Sequence, residues 1–454
     1  MNASMEMLDG AVKQNEEKIL EELAVLCRQP SISAQAVGIE ETAQLTASML
    51  RKRGFDTQIL PTNGFPVVYA ERKGISDRTL LFYNHYDVQP PEPLDLWTTP
   101  PFEPEIREGK MFARGVSDDK GHFMARLAAI DSFLALEKEL PCTIKFLLEG
   151  EEEIGSVNLG AFIRENKELL AADGCIWESG GVDENDIPEQ QAGMRGICYV
   201  ELVARTAGQD AHSGLGGSIF PNAAWRLVWA LNTLKDQNER IQIAGFYDKV
   251  VPASDRDMEL LADLPDNAPA LKEGYGLDGF LLGLEGGVEF QRRAIFEPTC
   301  TICGLTAGYQ GPGSKTVLPA EARAKIDFRL VPDMRPEDVL EQLRTHLDAH
   351  GFADIKIHFL GGNPAGRTPI DNPFLELVVQ TAEEVYGVPQ RIVPMSGGSG
   401  PNYHFLEVLH IPVAMAGIGY PGENIHAPDE HIRLEDLYKG IQHTIRIIRA
   451  FAEQ

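Results

Sequence analysis

No run of apolar residues in this sequence reaches the roughly 18 needed to span a bilayer. The opening stretch, MNASMEMLDGAVKQNEEKILEEL, reads as an acidic amphipathic helix without a signal-peptide pattern. A membrane partner is therefore not expected, and the expected location is cytoplasmic. Positive charge is scarce: 41 Lys and Arg face 68 Asp and Glu, a formal net charge of −27. Binding to nucleic acid needs a concentrated basic surface, so no nucleic-acid partner is expected either. The acids are spread through amphipathic segments rather than gathered in a tail, and most read as solvated faces. Cysteine is sparse, with six in 454 residues, mostly inside apolar stretches as befits buried thiols in a reducing compartment. Cys300 and Cys303 form a lone CTIC pair without the two further ligands that a structural zinc would want, and they read as strand residues. Internal repeats and low-complexity tracts are absent.

What is present is the pattern of a soluble α/β chain, long enough for two domains. Apolar positions at helical spacing (Ile19, Leu20, Leu23, Leu26) predict a helix over 15–28, stopped by Pro30, and a second helix runs over 38–53 to Gly54. Short apolar runs bounded by turn residues predict strands at 66–69 and 79–83, the latter delivering the chain to His85. The same grammar recurs at 143–148 before EGEEE, at 174–177 before Glu178 and at 411–416 before His426. Ligand sites in open α/β sheets form at the carboxyl ends of strands, so these segments are expected to share one rim. A helix over 122–136, carrying Phe123, Leu127, Ile130 and Phe133, is expected to cover the sheet.

From Gly196 the texture changes. A strand at 197–204, a helix at 221–234, a long irregular stretch, and strands at 322–330 and 355–360 around a helix at 336–350 suit a smaller inserted α+β domain. The expected fold class is therefore α/β: a helix-covered mixed sheet, 1–196 and 363–454, interrupted by an inserted α+β domain of ferredoxin-like type at 197–362.

The chemistry-bearing residues cluster at the strand ends. HYDVQPP at 85–91 supplies His85 and Asp87, SDDKG supplies Asp118, and EGEEEIGS supplies Glu151, Glu152 and Glu153. Imidazole and carboxylate together suit Zn²⁺, Mn²⁺ or Co²⁺, and the absence of a thiolate leaves such ions Lewis-acidic and redox-silent. The residues thus point to a pair of divalent cations and metal-assisted hydrolysis. Each motif has a plainer reading. An HxD occurs by chance, three glutamates usually make a solvated helix face, and Asp118 could cap a helix starting near Lys120. Their shared position after apolar strands favours the metal reading.

Taken together, HYDVQP, ARGVSDDKG, EGEEEIGS, DAHSGLGG, SKTVLPAEARAKIDFRLVP and ENIHAPDE resemble the M20 family of metallopeptidases, in the family order from about residue 30 to 445. By this resemblance His85 and Glu178 complete one metal site, Glu153 and His426 the other, and Asp118 bridges both. Two divalent cations per subunit are implied, zinc first, with manganese or cobalt as alternatives. Glu152 would be the general base, Asp87 would orient His85, and Glu151 has no assigned part. The flanks of Glu178 depart from the family pattern, and Asp173 and Asp183 are its rivals. Asn84 stands where glycine is frequent, and His122 where proline or glycine is frequent.

On the inserted domain, expected to act as a lid and dimerisation domain, His212 matches the histidine that reaches the neighbouring subunit's active site in dimeric relatives. A homodimer is therefore implied. Arg329 matches the arginine that binds the substrate carboxylate, and Thr316 and Ser399 resemble further polar contacts to that end. The implied function is hydrolysis of dipeptides or similarly small peptides. An N-acyl-amino-acid amidohydrolase is the alternative enzyme, and a metal-loaded regulatory protein without turnover the alternative of another class.

Overall fold

The apolar runs of the first 180 residues become the strands of one sheet, completed by a strand from near the C-terminus. The computed structural model describes residues 3–454. Its first unit comprises the chain up to Gly193 together with Arg367–Pro394 and Pro401–Gln454. The sheet has six strands, in the order Asp56–Leu60, Val67–Arg72, Leu140–Glu149, Gly74–His85, Gly174–Trp177 and Val413–Met415. The last four are mutually parallel and the first two antiparallel, a mixed sheet. All ten residues of Leu140–Glu149 are buried, as a strand covered on both faces requires. Register pairs His85 with Glu149, so HYDVQPP and EGEEE leave the sheet at one edge, and Glu178 follows Trp177 there.

Helices cover this sheet. Gly121–Leu136 is buried almost all round, because Met5–Gln14, Glu16–Arg28 and Leu434–Ala452 pack on it in turn. Phe146 sits at the centre, with ring centroids 5.5 Å from Phe55, 5.2 Å from Phe82 and 5.7 Å from Phe123.

Three local expectations differ from what is observed. The helix expected at the chain start is two helices, Met5–Gln14 and Glu16–Arg28; Met1 and Asn2 lie outside the described residues. Asn15 separates the two: its side-chain amide donates to the Ala11 carbonyl, competing with the backbone ladder as asparagine does. The strand Asp56–Leu60 was not predicted, since its sequence DTQIL carries only two apolar residues and it lies at the sheet edge. His85 does not follow its strand but is the strand's last residue.

The second unit is Met194–Gly366 with Met395–Gly400. Its antiparallel sheet has the order Thr301–Ala307, Glu321–Leu330, Gly196–Arg205, Lys356–Asn363. With helices Ala223–Leu234 and Pro336–Ala349 the chain order is strand, helix, strand, strand, helix, strand; three further helices intervene before Thr301. The Glu321–Leu330 strand alternates strictly, burying Ala322, Ala324, Ile326, Phe328 and Leu330. Met395–Gly400 joins this unit because Arg195 N–H donates to the Gly398 carbonyl and the Ser399 hydroxyl to the Gly196 carbonyl. Cys303 lies in the Thr301–Ala307 strand and Cys300 just before it, and all six cysteines are free. No helix of the described residues is long and apolar enough to cross a membrane.

The ring cluster around Phe146 sets a stability expectation. Phe146→Ala removes a wholly buried ring with three aromatic neighbours and should destabilise the first unit by about 3–5 kcal/mol. Urea unfolding followed by tryptophan fluorescence measures this, and a loss below about 1 kcal/mol would contradict the central placement of the ring.

Candidate metal centre

At the carboxyl edge of the parallel strands, His85 Nε2 lies 2.9 Å from Asp118 Oδ1. The other oxygen of Asp118 lies 2.9 Å from His426 Nε2, which is also 3.0 Å from Glu153 Oε2. One carboxylate thus faces an imidazole with each oxygen. Ligand atoms of His85, Asp118 and Glu153 all fall within 4.8 Å of one another. Asp118 is no helix cap: the Gly121–Leu136 helix has no side-chain cap bond, and its N-cap position is Lys120.

Buried acids hold this geometry through the backbone. Asp87 accepts from the N–H of Glu152 at 3.2 Å and of Glu153 at 3.1 Å, and its Oδ1 is 3.4 Å from His85 Nδ1. It therefore orients an imidazole and the two glutamates together. Glu430, which sequence reasoning did not single out, accepts from the N–H groups of Gly115, Ser117 and Asp118 and from Arg114 Nη1. Its four bonds fix the turn that presents Asp118. His426 stands in the left-handed region at φ 61°, uncommon for a residue with a side chain. Glu151 is occupied structurally, accepting from the Phe65 N–H and the Asn158 amide.

A second group joins His85, Asp119 and Glu178, again within 4.8 Å. Asp119 was not among the expected residues; its only sequence signal was its place beside Asp118. Its Oδ2 accepts from the Asn84 amide at 2.5 Å and the His85 N–H at 3.1 Å, which accounts for asparagine at position 84. Glu178 is drawn into place by Arg126, which donates to the carbonyls of Trp177 and Glu178. The rivals of Glu178 are engaged elsewhere: Asp173 accepts from the Thr79 N–H, and Asp183 from Asn185 N–H, Ile187 N–H and Arg391. His122 is buried, with Nδ1 unpaired, and burial followed by the Arg126 charge pushes its pKa down to about 3.

These groups fit divalent cations. Two imidazoles and four carboxylates converge with no Lys or Arg side chain among the ligand atoms. Asp119 Oδ1 and Glu178 Oε2 are buried without a hydrogen-bond partner, which is costly for a carboxylate unless a cation or proton is supplied. Burial pushes Glu178 well up, and Glu152 up to about 7 against the opposing His85 charge. Burial works against a charged His85, but its bonds to Asp118 and Asp87 outweigh it and raise the imidazole well above its usual value. His426 is raised to about 10 by its bonds to Asp118 and Glu153.

The remaining predicted residues are on the second unit. Exposed His212 accepts at Nδ1 from the Gly214 N–H, and its Nε2 is 3.3 Å from Thr316 Oγ1. Arg329 donates from Nη1 to Ser399 Oγ at 2.8 Å and from Nε to Asp327 at 3.0 Å. His404 is buried, its Nδ1 unpaired, and has no part in either ligand group.

Residues 81–450, spanning every ligand candidate from His85 to His426, match the model of peptidase family M20/M25/M40. The chain belongs to this family. It is 28% identical to the Beta-Ala-His dipeptidase of Rattus norvegicus over 399 residues, 85% of this chain and 79% of the relative. It is 27% identical to the Cys-Gly metallodipeptidase of Schizosaccharomyces pombe over 467 residues, 97% of each. Among solved structures, an M20 family metallo-carboxypeptidase from Sulfolobus solfataricus superposes with a TM-score of 0.91 at 37% identity, covering 96% of this chain and 99% of the other. This M20 chain therefore shares its fold with the metallo-carboxypeptidase over nearly its whole length.

Because raised imidazoles must lose protons before they can ligate, metal binding to this M20 protein should release protons and tighten as pH rises from 6 to 8. Calorimetric titration of the metal-free protein with Zn²⁺ in two buffers of different ionisation enthalpy reads the release directly. Equal heats in both buffers would exclude it.

Proposed function

We propose that this M20 protein hydrolyses the amide bond of dipeptides or similarly small peptides, using two divalent cations per subunit, zinc first and manganese or cobalt as alternatives. His85 and Glu178, with Asp119 beside them, would hold one ion, Glu153 and His426 the other, and Asp118 would serve both. Ions bound there would polarise the scissile carbonyl and lower the pKa of water toward roughly 7.

The observation that carries the reading is Glu152. Its carboxylate belongs to neither ligand group, yet the Asp87 bond to its N–H fixes it beside Glu153. With a pKa near neutrality it is matched to taking the proton of the attacking water and returning it to the departing amine. A regulatory protein that only bound metal would have no use for such a group. Asp87 keeps the His85 ring in register, and a guanidinium fork like that of Arg329 suits the substrate's terminal carboxylate, with Ser399 and Asp327 holding it extended. Thr316 steadies the His212 ring, the donor proposed for the tetrahedral oxyanion.

A homodimer is part of this reading. Leu215, Ile219, Phe220, Trp225 and Trp229 are exposed apolar side chains around the start of the Ala223–Leu234 helix, the kind of surface an interface covers. His212 is two residues from Gly214 at the edge of that surface and would reach the neighbouring subunit's site. The free, mostly buried cysteines accord with a reducing, cytoplasmic setting.

A second substrate reading, trimming of longer peptides at their carboxyl end, is favoured by the 37% identity to the metallo-carboxypeptidase. An N-acyl-amino-acid amidohydrolase needs the same metals and base. Assays of dipeptides, tetrapeptides and N-acetyl amino acids with Zn²⁺, Mn²⁺ and Co²⁺ separate the three; inactivity on every dipeptide would refute the first. Glu152→Gln should keep two ions per subunit by elemental analysis while turnover falls by about 10²–10⁴-fold; metal loss with activity retained would reverse the role assigned. Mixing inactive Glu152→Ala and His212→Ala protomers should restore part of the activity after subunit exchange, and no recovery would place the whole site in one chain.

A further inference from the structure

Beside Asp118 and Asp119, within the first unit, lies a cavity of about 280 Å³. Strand alternation in Pro188–Gln191 buries Pro188 and Gln190 and turns Glu189 and Gln191 to the other side, where both line it. Glu423 lines it as well, accepting from the Ser117 hydroxyl and the Tyr420 N–H, both on Oε2. A Cβ added at Gly419 would stand 3.2 Å from Glu423 Oε1, so glycine leaves that oxygen clear. Glu189 lies 3.9 Å from Arg391, which is also paired with Asp183, so one guanidinium serves two carboxylates. No Lys or Arg lines the cavity. His122 does, 5% exposed, its Nδ1 without a partner, and Val182 and Met415 add apolar wall.

Two carboxylates with at most one shared guanidinium between them, beside an apolar wall and no lining Lys or Arg, make an environment that a cation would satisfy. Resting on the peptide-hydrolase reading, we propose that this cavity receives the side chain of the residue on the acyl side of the scissile bond and selects a long cationic one, lysine or arginine, with Glu189 and Glu423 as counter-charges. The volume exceeds what an α-ammonium needs, and the apolar wall suits a methylene stem below a charged head.

The test compares lysyl-alanine with norleucyl-alanine, equal in stem but without the charge. On the metal-loaded enzyme, kcat/KM should favour lysyl-alanine by about tenfold or more, and Glu189→Gln should reduce the ratio to about twofold. Parity in the wild type, or an unchanged ratio in the variant, overturns the proposal. If neither dipeptide is cleaved, the wider panel of dipeptides and tetrapeptides decides the peptide-hydrolase reading, and calorimetry on zinc-loaded Glu152→Gln separately decides the cavity. There lysyl-alanine should bind about tenfold more tightly than norleucyl-alanine, whereas equal affinity or no binding refutes the assignment. Equal affinity that is lost for both on N-acetylation would give the acids to the α-ammonium and refute the side-chain role.

Discussion

Like charges gathered away from water repel, and the first unit is arranged around that constraint. Two unit charges 4 Å apart interact by about 4 kcal/mol at the effective dielectric of a protein surface, and more in a drier setting. Asp118, Asp119, Glu152, Glu153 and Glu178 are brought to one sheet edge with only two imidazoles between them. Burial first, and the neighbouring acids after it, push Glu178 and Glu152 up, while Asp118, enclosed by two imidazoles, is drawn far down. Cations relieve the repulsion, and the site's chemistry is the use made of that relief.

A cluster under such repulsion stays assembled only if its backbone is tied elsewhere. Asp87 ties the Glu152 and Glu153 amides, and Glu430 ties the Gly115, Ser117 and Asp118 amides. Both acids are wholly buried and spend their oxygens on backbone N–H groups, so the ligands are positioned by hydrogen bonds. The second unit works differently. Arg329 is half-buried on the four-stranded sheet and His212 is exposed on a separate two-stranded pair with Val317–Leu318, so neither is held as deeply as the first unit's acids.

Much of this was legible in the chain. Apolar runs ending in His85, EGEEE and Glu178 marked parallel strands because such strands are buried on both faces and leave little polar sequence to confuse the reading. The edge strand Asp56–Leu60 escaped for the opposite reason: half-exposed, it carries a mostly polar pattern. The break at Asn15 turns on one side-chain hydrogen bond that periodicity does not register. Asp119 and Glu430 were hidden more deeply. A carboxylate that accepts backbone N–H groups needs no spacing rule, and the partners of Glu430 lie more than 300 residues earlier in the chain. Asn84 and His122 were noticed only as departures. Asn84 holds Asp119, and His122 lines the cavity beside it.

The span of the Glu430 bonds has a consequence for the order in which the protein comes into being. His85, Asp118 and Glu153 are made early, yet the groups that aim Asp118 and face its second oxygen, Glu430 and His426, follow it by 312 and 308 residues. A nascent chain therefore carries His85, Asp118 and Glu153 before the groups that Asp118 meets are made. The helix Leu434–Ala452 packs against Gly121–Leu136, and the segment just before it brings Glu430 to the turn that presents Asp118. A chain cut short before His426 therefore lacks both the imidazole at the second oxygen of Asp118 and the carboxylate at its N–H.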